Sequence, residues 1–292
     1  MRNFMTTTWP KVPDGIAAEY VPGSASAPQF VIVKIGGSLV SQKDRAGHLD
    51  TDELGRYADQ VADLWRAAPG RVALVAGGGA IGHGAVRHLE PGDPFASLDL
   101  TFATFTVKWA WIEALRSRGV RCFPVQVGAI CALQDDVVVP QTTVIDELLR
   151  AGALPVLSGD CVLTPSGRLE IFGSDRVPGI FLGGPRAGRH VRVAVLTDVP
   201  GVLADGPGGS RSIPYLDPDD LDAVAGFLWP AAPHDTSGAM AGKVRALGAL
   251  AGAGAECLIL KGDPGAGDLR FLLDPVVRWA PVKPYTRIAR SR

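Results

Sequence analysis

Short apolar runs alternate with helical stretches along most of this chain. That alternation predicts an α/β protein, a three-layer αβα sandwich with a central, mainly parallel sheet. Phe30–Ile35 and Val191–Leu196 are β-branched and uninterrupted, as strands buried on both faces are. Asp52–Ala67 carries apolar residues at helical spacing, in Leu54, Tyr57, Ala58, Val61, Leu64 and Trp65. Hydrophobic residues are 47% of 292, ample for a core, and the 36 Gly and 23 Pro fit many short connections.

The elements follow in order. Thr51 is placed to cap the first helix and Pro69-Gly70 to stop it. Arg71–Ala76 is a strand, Leu98–Ser117 a long helix ending at Gly119, Val120–Val125 a strand, and Thr142–Ala151 a helix closed by Gly152. Shorter strands come next at Leu154–Leu157, Cys161–Thr164 and Leu169–Ile171, with a hairpin turn at Pro165-Ser166-Gly167. Ser237–Ala253 reads as a helix, Glu256–Leu260 as a strand, and Phe271–Leu273 and Thr286–Ile288 as late edge strands. Residues 1–29, rich in Pro, Gly, Ala and Ser, read as a flexible arm before a single domain over 30–292. Phe102, Phe105 and Trp109 on the long helix read most simply as core packing.

Charge and cysteine usage exclude several classes. Lys+Arg number 29 against Asp+Glu 30, so no overall field draws nucleic acid. The basic tail (Arg278, Lys283, Arg287, Arg290, Arg292) reads as an ordinary solvated end. Cys122, Cys131, Cys161 and Cys257 are far apart and sit among apolar residues, which fits buried reduced thiols and points to the cytoplasm. No apolar run reaches the roughly 18 residues of a membrane span, and residues 1–29 lack a signal-peptide stretch.

Two glycine loops follow two strands: Lys34-Ile35-Gly36-Gly37-Ser38, and Gly77-Gly78-Gly79-Ala80-Ile81-Gly82-His83-Gly84. Glycines there let backbone N–H groups approach an anion, and a helix starting just after adds its positive end. Gly77-x-Gly79-x-x-Gly82 satisfies a dinucleotide pattern. The second strand with an acidic end is missing, because Arg87–Leu100 contains Pro91-Gly92-Asp93-Pro94. Neither a Walker A loop nor a Gly-x-Ser-x-Gly elbow occurs.

With Lys43, Ser158-Gly159-Asp160, Phe172-Gly173-Ser174-Asp175, Leu196-Thr197-Asp198-Val199-Pro200-Gly201 and Ser237-Gly238-Ala239-Met240-Ala241-Gly242-Lys243, these loops resemble the amino acid kinase superfamily, from about Val31 to Ile288. His83 after the triple glycine is similar to the branch of isopentenyl phosphate kinases and the fosfomycin-resistance kinase. Within it, Asp175-Arg176-Val177-Pro178, Thr104–Lys108, Asp235–Met240, Lys261-Gly262-Asp263-Pro264 and Thr286-Arg287-Ile288 look closer to the fosfomycin kinase. Three positions depart: Gly173 and Ser237 stand where that kinase has serine and threonine, and Ile81 replaces a phenylalanine common in both relatives.

The resemblance implies an acceptor half over about 30–175 and a nucleotide half over about 176–292. It implies ATP-dependent phosphorylation of a small phosphonate, fosfomycin-like, giving ADP and a phosphonophosphate, in antibiotic inactivation or phosphonate metabolism. Isopentenyl phosphate kinase is the alternative, and a non-catalytic nucleotide-dependent binding or storage protein is the alternative of another class. Phosphoryl transfer is mostly positioning and charge neutralisation. Lys34, Lys43 and Lys243 are the implied catalytic cations, with Asp175 orienting them. Gly77, Gly78, Gly79, His83, Gly173, Ser174 and Ser237 are implied on the acceptor. Gly36, Gly37, Ser38, Thr197, Asp198, Gly201 and Lys243 are implied on the nucleotide. Mg²⁺ is expected with ATP, without a protein metal cage, and a homodimer is expected.

Overall fold

A computed structural model of the chain describes residues 26–41, 48–86, 93–134, 137–206, 209–221, 224, 228, 239–263, 268–278 and 284–290. The strands are β1 (Phe30–Ile35), β2 (Val72–Ala76), β3 (Cys122–Pro124), β4 (Cys131–Gln134), β5 (Val137–Pro140), β6 (Leu154–Ser158), β7 (Asp160–Leu163), β8 (Leu169–Phe172), β9 (Val191–Thr197), β10 (Tyr215–Leu216), β11 (Glu256–Lys261) and β12 (Tyr285–Ile288). The helices are α1 (Thr51–Ala67), α2 (Gly79–Val86), α3 (Leu98–Arg116), α4 (Val127–Ile130), α5 (Thr143–Arg150) and α6 (Ala239–Gly252).

Eight strands form the central sheet in the order β10-β12-β11-β9-β1-β2-β6-β3. From β11 to β3 every pairing is parallel, and β12 runs antiparallel to β11. Alternate residues of each strand enter opposite cores. Val31, Val33 and Ile35 of β1 meet α1 and α3 on one face, while Phe30 and Ile32 share the other core with residues of α5 and α6. The predicted αβα sandwich is therefore the architecture observed. A second sheet, β5-β4-β7-β8, stands beside it.

The register sets Ile35 level with Ala76 and Leu196, Ala76 level with Ser158, and Leu196 level with Leu260. Both glycine loops, the Ser158–Asp160 turn and the Thr197–Asp198 turn therefore emerge from one edge of the sheet. The chain leaves β1 toward β2 on one side and returns to its other side with β9, so β1 borders the topological switch point, where open α/β sheets bind ligands.

Local details differ from the sequence expectation where side-chain chemistry decides them. The first helix is capped by Asp50 rather than Thr51: the Asp50 carboxylate accepts from the Glu53 N–H at 3.0 Å. Leu269–Leu273 is a 3-10 turn rather than an edge strand, opened by Asp268, whose carboxylate accepts from the Arg270 N–H at 2.8 Å. Phe102 is 76% exposed, and Leu98, Phe105 and Trp109 share its outward face, so they do not pack the core. Of the expected arm, residues 1–25 lie outside the described residues, and 26–29 are pinned. The Gln29 N–H donates to His190 O at 2.9 Å, and Arg71 donates to the Pro28 and Gln29 carbonyls. Cys131, Cys161 and Cys257 are buried and Cys122 partly so, all with free thiols. Among the described residues no helix is long and apolar enough to cross a membrane.

At the opposite edge of the sheet, Glu256 opens β11 inside a buried ion cluster. It accepts from Arg192 Nε at 2.8 Å and Arg287 Nε at 3.0 Å, and lies 3.2 Å from His190 Nε2. Arg192 also donates to the Leu272 and Asp274 carbonyls. Burial raises the Glu256 carboxyl, but its partners outweigh burial and hold it below the usual carboxylate range. Removing one member of a buried cluster leaves the others uncompensated. Glu256→Ala is therefore expected to lose about 3–5 kcal/mol of stability in urea denaturation.

Candidate active site

The last turns of β1 and the first turns of α6 face each other across one carboxylate. Lys34, 4% exposed near the end of β1, donates from Nζ to Asp175 Oδ1 at 2.7 Å. Lys243, in the second turn of α6, donates to Oδ1 at 3.3 Å and Oδ2 at 3.2 Å. Asp175 lies between β8 and a 3-10 turn at Val177–Phe181. The sequence separation between Lys34 and Asp175 is 141 residues, so this triad is a product of the fold.

Burial pushes the Lys34 ammonium down to about 8, and Asp175 opposes that fall. Burial alone would raise the Asp175 carboxyl, but Lys34 first and then Lys243 hold it well below the usual range. The group is thus a carboxylate with two ammonium neighbours, and it carries one surplus positive charge. Burying charge is costly unless it is compensated, so the arrangement favours an anion as its next partner.

The two glycine loops are in backbone contact. A Cβ on Gly37 would stand 2.0 Å from Gly79 N, and one on Gly77 would stand 2.4 Å from Gly37 N. No other residue type fits either position without moving main chain. Gly79 has φ +55°, the left-handed region, and it opens α2. Ser41 ties the loops together: its hydroxyl donates to Gly37 O at 2.8 Å and accepts from the Ala80 N–H at 3.1 Å. Sequence reasoning passed over Ser41, because a hydroxyl bridging two main-chain segments carries no motif.

The expected donors divide. The Gly36 N–H goes to Leu196 O at 2.9 Å and the Gly77 N–H to Ile35 O at 2.8 Å, so these two glycines serve loop packing rather than anion contact. Gly78 and Gly79 remain at the start of α2, and His83 is half-buried further along it, in its last turn. Ser38 lies in a 3-10 turn at Gly37–Leu39. Gly173 is exposed with open space where a Cβ would stand, and Ser174 is half-buried beside Asp175. Lys43 and Ser237 lie outside the described residues.

On the other side of β1, the Thr197 hydroxyl donates to Asp198 Oδ1 at 3.0 Å, and Asp198 is exposed. Gly201 is accounted for by close packing, since a Cβ there would stand 2.6 Å from Thr286 Oγ1. A cavity of about 190 Å³ opens at the carboxyl ends of β9 and β11, lined by Leu196, Pro200, Leu260 and Lys261 with Gln60 and Asp263. Sequence reasoning did not include Gln60, whose amide donates to Asp263 O at 3.0 Å across the cavity wall. Among the described residues no three His, Cys, Asp or Glu side chains gather as a metal-binding group.

The triad makes a titration testable without any substrate. Asp175 supports the protonated form of Lys34, so Asp175→Asn is expected to lower the Lys34 pKa below about 8. The expected drop is about one to three pH units, read from the ¹⁵Nζ chemical shift against pH. An unchanged or higher value would remove the electrostatic account of the triad.

Comparison with known proteins now separates the possibilities. The amino acid kinase family matches residues 29–261. Isopentenyl phosphate kinase of Methanothermobacter thermautotrophicus is 28% identical over 268 residues, 85% of this chain and 97% of that protein. That of Haloferax volcanii is 33% identical over 230 residues, 76% of this chain and 88% of that protein. A solved isopentenyl phosphate kinase superposes with a TM-score of 0.67 at 22% identity, covering 89% of this chain and all of that one. A Giardia carbamate kinase shares the fold at a TM-score of 0.60 and 16% identity, over 91% of this chain and 100% of that chain.

The fosfomycin-like expectation is thereby overturned, and with it antibiotic inactivation and phosphonate metabolism: the curated relatives are isopentenyl phosphate kinases. The residues behind that expectation do structural work. Arg176 stacks on the Phe172 ring at 4.7 Å, Val177 and Pro178 are buried, and Thr286 Oγ1 bonds to Val202 N and Ile213 O. They pack loops in this structure. With its family match, relatives and sheet edge in agreement, this chain belongs to the amino acid kinase family and is a phosphotransferase.

Proposed function

We propose that this kinase transfers the γ-phosphoryl group of ATP to a phosphate oxygen of isopentenyl phosphate, giving ADP and isopentenyl diphosphate. The observation that carries the reading is the buried Lys34–Asp175–Lys243 triad beside two interlocked glycine loops, in a chain whose curated relatives bear that name. The acceptor phosphate is already an oxyanion near neutral pH and needs no base. Asp175 fits this, since its two lysine neighbours hold its carboxyl well below the usual range and make it a poor base. The barrier is the meeting of two polyanions, which cations and backbone donors lower.

Lys34 and Lys243 neutralise the transferring group from opposite sides of Asp175. Gly78 and Gly79 at the start of α2 and His83 in its last turn receive the acceptor phosphate, with Ser174 on the facing loop. Lys43 and Ser237 complete the set by resemblance. Gly37 and Ser38 face the nucleotide phosphates, and Thr197, Asp198 and the cavity at Gln60, Lys261 and Asp263 face the nucleoside. Mg²⁺ enters on the ATP phosphates, because Asp175 is committed to the lysines; bound there it supplies further charge neutralisation. Free cysteines support a cytoplasmic site, and the outward apolar face of α3 supports a homodimer.

An ADP-release assay with Mg·ATP tests the reading, with isopentenyl phosphate and fosfomycin offered separately. The expected outcome is a kcat/KM at least about 100-fold higher for isopentenyl phosphate; a preference for fosfomycin, or turnover of neither, would refute it. In the same assay His83→Ala is expected to raise the acceptor KM about tenfold or more and leave the ATP KM within about twofold.

A further inference from the structure

A buried polar network lies under the acceptor-side loops, and the transfer chemistry above makes no use of it. Lys108 stands in the middle of α3 at 0% exposure. Its ammonium donates to Val125 O at 3.1 Å and to Gln126 Oε1 at 2.6 Å. The Gln126 amide donates onward to Asp160 Oδ2 at 2.6 Å, and the Gly128 N–H reaches the same oxygen at 2.6 Å. Thr101 Oγ1 donates to Asp160 Oδ1 at 2.7 Å. Asp160 is also fully buried, and a Cβ on Gly128 would stand 3.1 Å from its Oδ2.

A buried lysine is an expensive way to fill a helix–sheet gap that a methionine would fill. Thr101, Thr104 and Lys108 lie at i, i+3 and i+7, one face of α3, and that face reaches both acceptor-side loops. The Thr104 methyl is 3.9 Å from where a Gly78 Cβ would be, and the Ser158 hydroxyl donates to Thr104 O at 3.4 Å. Asp160 is joined by one peptide to Gly159. A Cβ on Gly159 would stand 2.9 Å from Ser174 N and 3.2 Å from Phe172 O, and Ser174 precedes Asp175. The path from Lys108 to Asp175 is thus two hydrogen bonds, two peptide links and one backbone contact.

We propose that Lys108 is a positioning residue for phosphoryl transfer: through Gln126 and Asp160 it locks the Ser158–Asp160 turn against Gly173-Ser174, and so sets the acceptor-side loops relative to Asp175. The network is a fixed brace. Lys108 and Asp160 carry opposite charge, with a neutral amide between them oriented by both: its oxygen accepts from the ammonium and its nitrogen donates to the carboxylate. Reversing that amide would break both bonds, so each end fixes the other. The inference rests on the kinase reading above, and its test separates the two.

Lys108→Met keeps the length of the side chain and removes the charge. The expected result is a kcat/KM for the acceptor at least about tenfold lower, with the dissociation constant of a non-hydrolysable ATP analogue within about twofold of the parent. Gln126→Leu, at a half-buried position, is expected to act in the same direction. The double variant is expected to be no worse than the more impaired single one, since both cut one path. Amide exchange is expected to quicken over residues 158–176 and to stay unchanged in β1 and β9. A lysine with a merely structural role would weaken both substrates alike, or neither, with additive effects and exchange raised throughout; that pattern overturns the proposal. Should Lys108→Met fail to fold, Gln126→Leu carries every readout. If the parent enzyme turns over no acceptor, the function reading fails, and the exchange pattern still decides the brace.

Discussion

One carboxylate between two ammonium groups sets the terms for the rest of this structure. Lys34 is taken almost wholly out of water on a central strand, which by itself favours its neutral form. Asp175 opposes that loss and, with Lys243, leaves a site one positive charge in excess. The arrangement is poor as a stability device, since buried ion pairs seldom repay their desolvation. It suits an anion instead, because the group lacks one counter-charge. Convergence of β1, α6 and the segment after β8 on one point depends on strand register, and a slip of one residue would turn Lys34 from one core face to the other.

The glycine loops meet a second constraint, that of distance. Phosphates can reach main-chain N–H groups only where main chain is bare, and here two bare segments are also packed on each other. Gly37, Gly77 and Gly79 leave no space for a Cβ between them, and Ser41 bonds across the join. Some N–H groups that a motif would assign to the ligand are consumed in this packing, those of Gly36 and Gly77. A glycine-rich loop is therefore a mixture of glycines that admit ligand and glycines that admit the neighbouring loop, and only the three-dimensional arrangement sorts them.

That distinction marks how far the sequence was legible. The parallel strands β1, β2, β9 and β11 were readable because burial on both faces writes an unbroken apolar run, and α1 because its stripe is regular. Leu269–Leu273 misled because a few apolar residues do not encode a period, and Asp268 decided the turn. Lys34, Asp175 and Lys243 were found together only through resemblance, since nothing local ties residues so far apart. Arg176 misled in another way: the Asp175–Pro178 segment was taken as a mark of the acceptor branch, yet the Arg176 guanidinium lies on the Phe172 ring. Lys108 left a signal in plain view, a single lysine in the apolar middle of α3.

The sheet edge divides labour in a way that explains why acceptor identity was the hardest property to read. Among the described residues, the lysines assigned to the transferring group in the proposed function hang on β1 and α6 and meet at Asp175. Everything that would shape an acceptor hangs on α2, α3 and the Ser158–Ser174 loops. The first set must stay put for any member of this fold that moves a phosphoryl group, so its motifs report the reaction and are silent on the substrate. The two sets meet where Gly37 packs on Gly79, and the Ser41 hydroxyl bonds across that join. Arg176 on the Phe172 ring and Thr286 bonded to Val202 and Ile213 serve packing in this chain, so they carry no information on the shape of the acceptor.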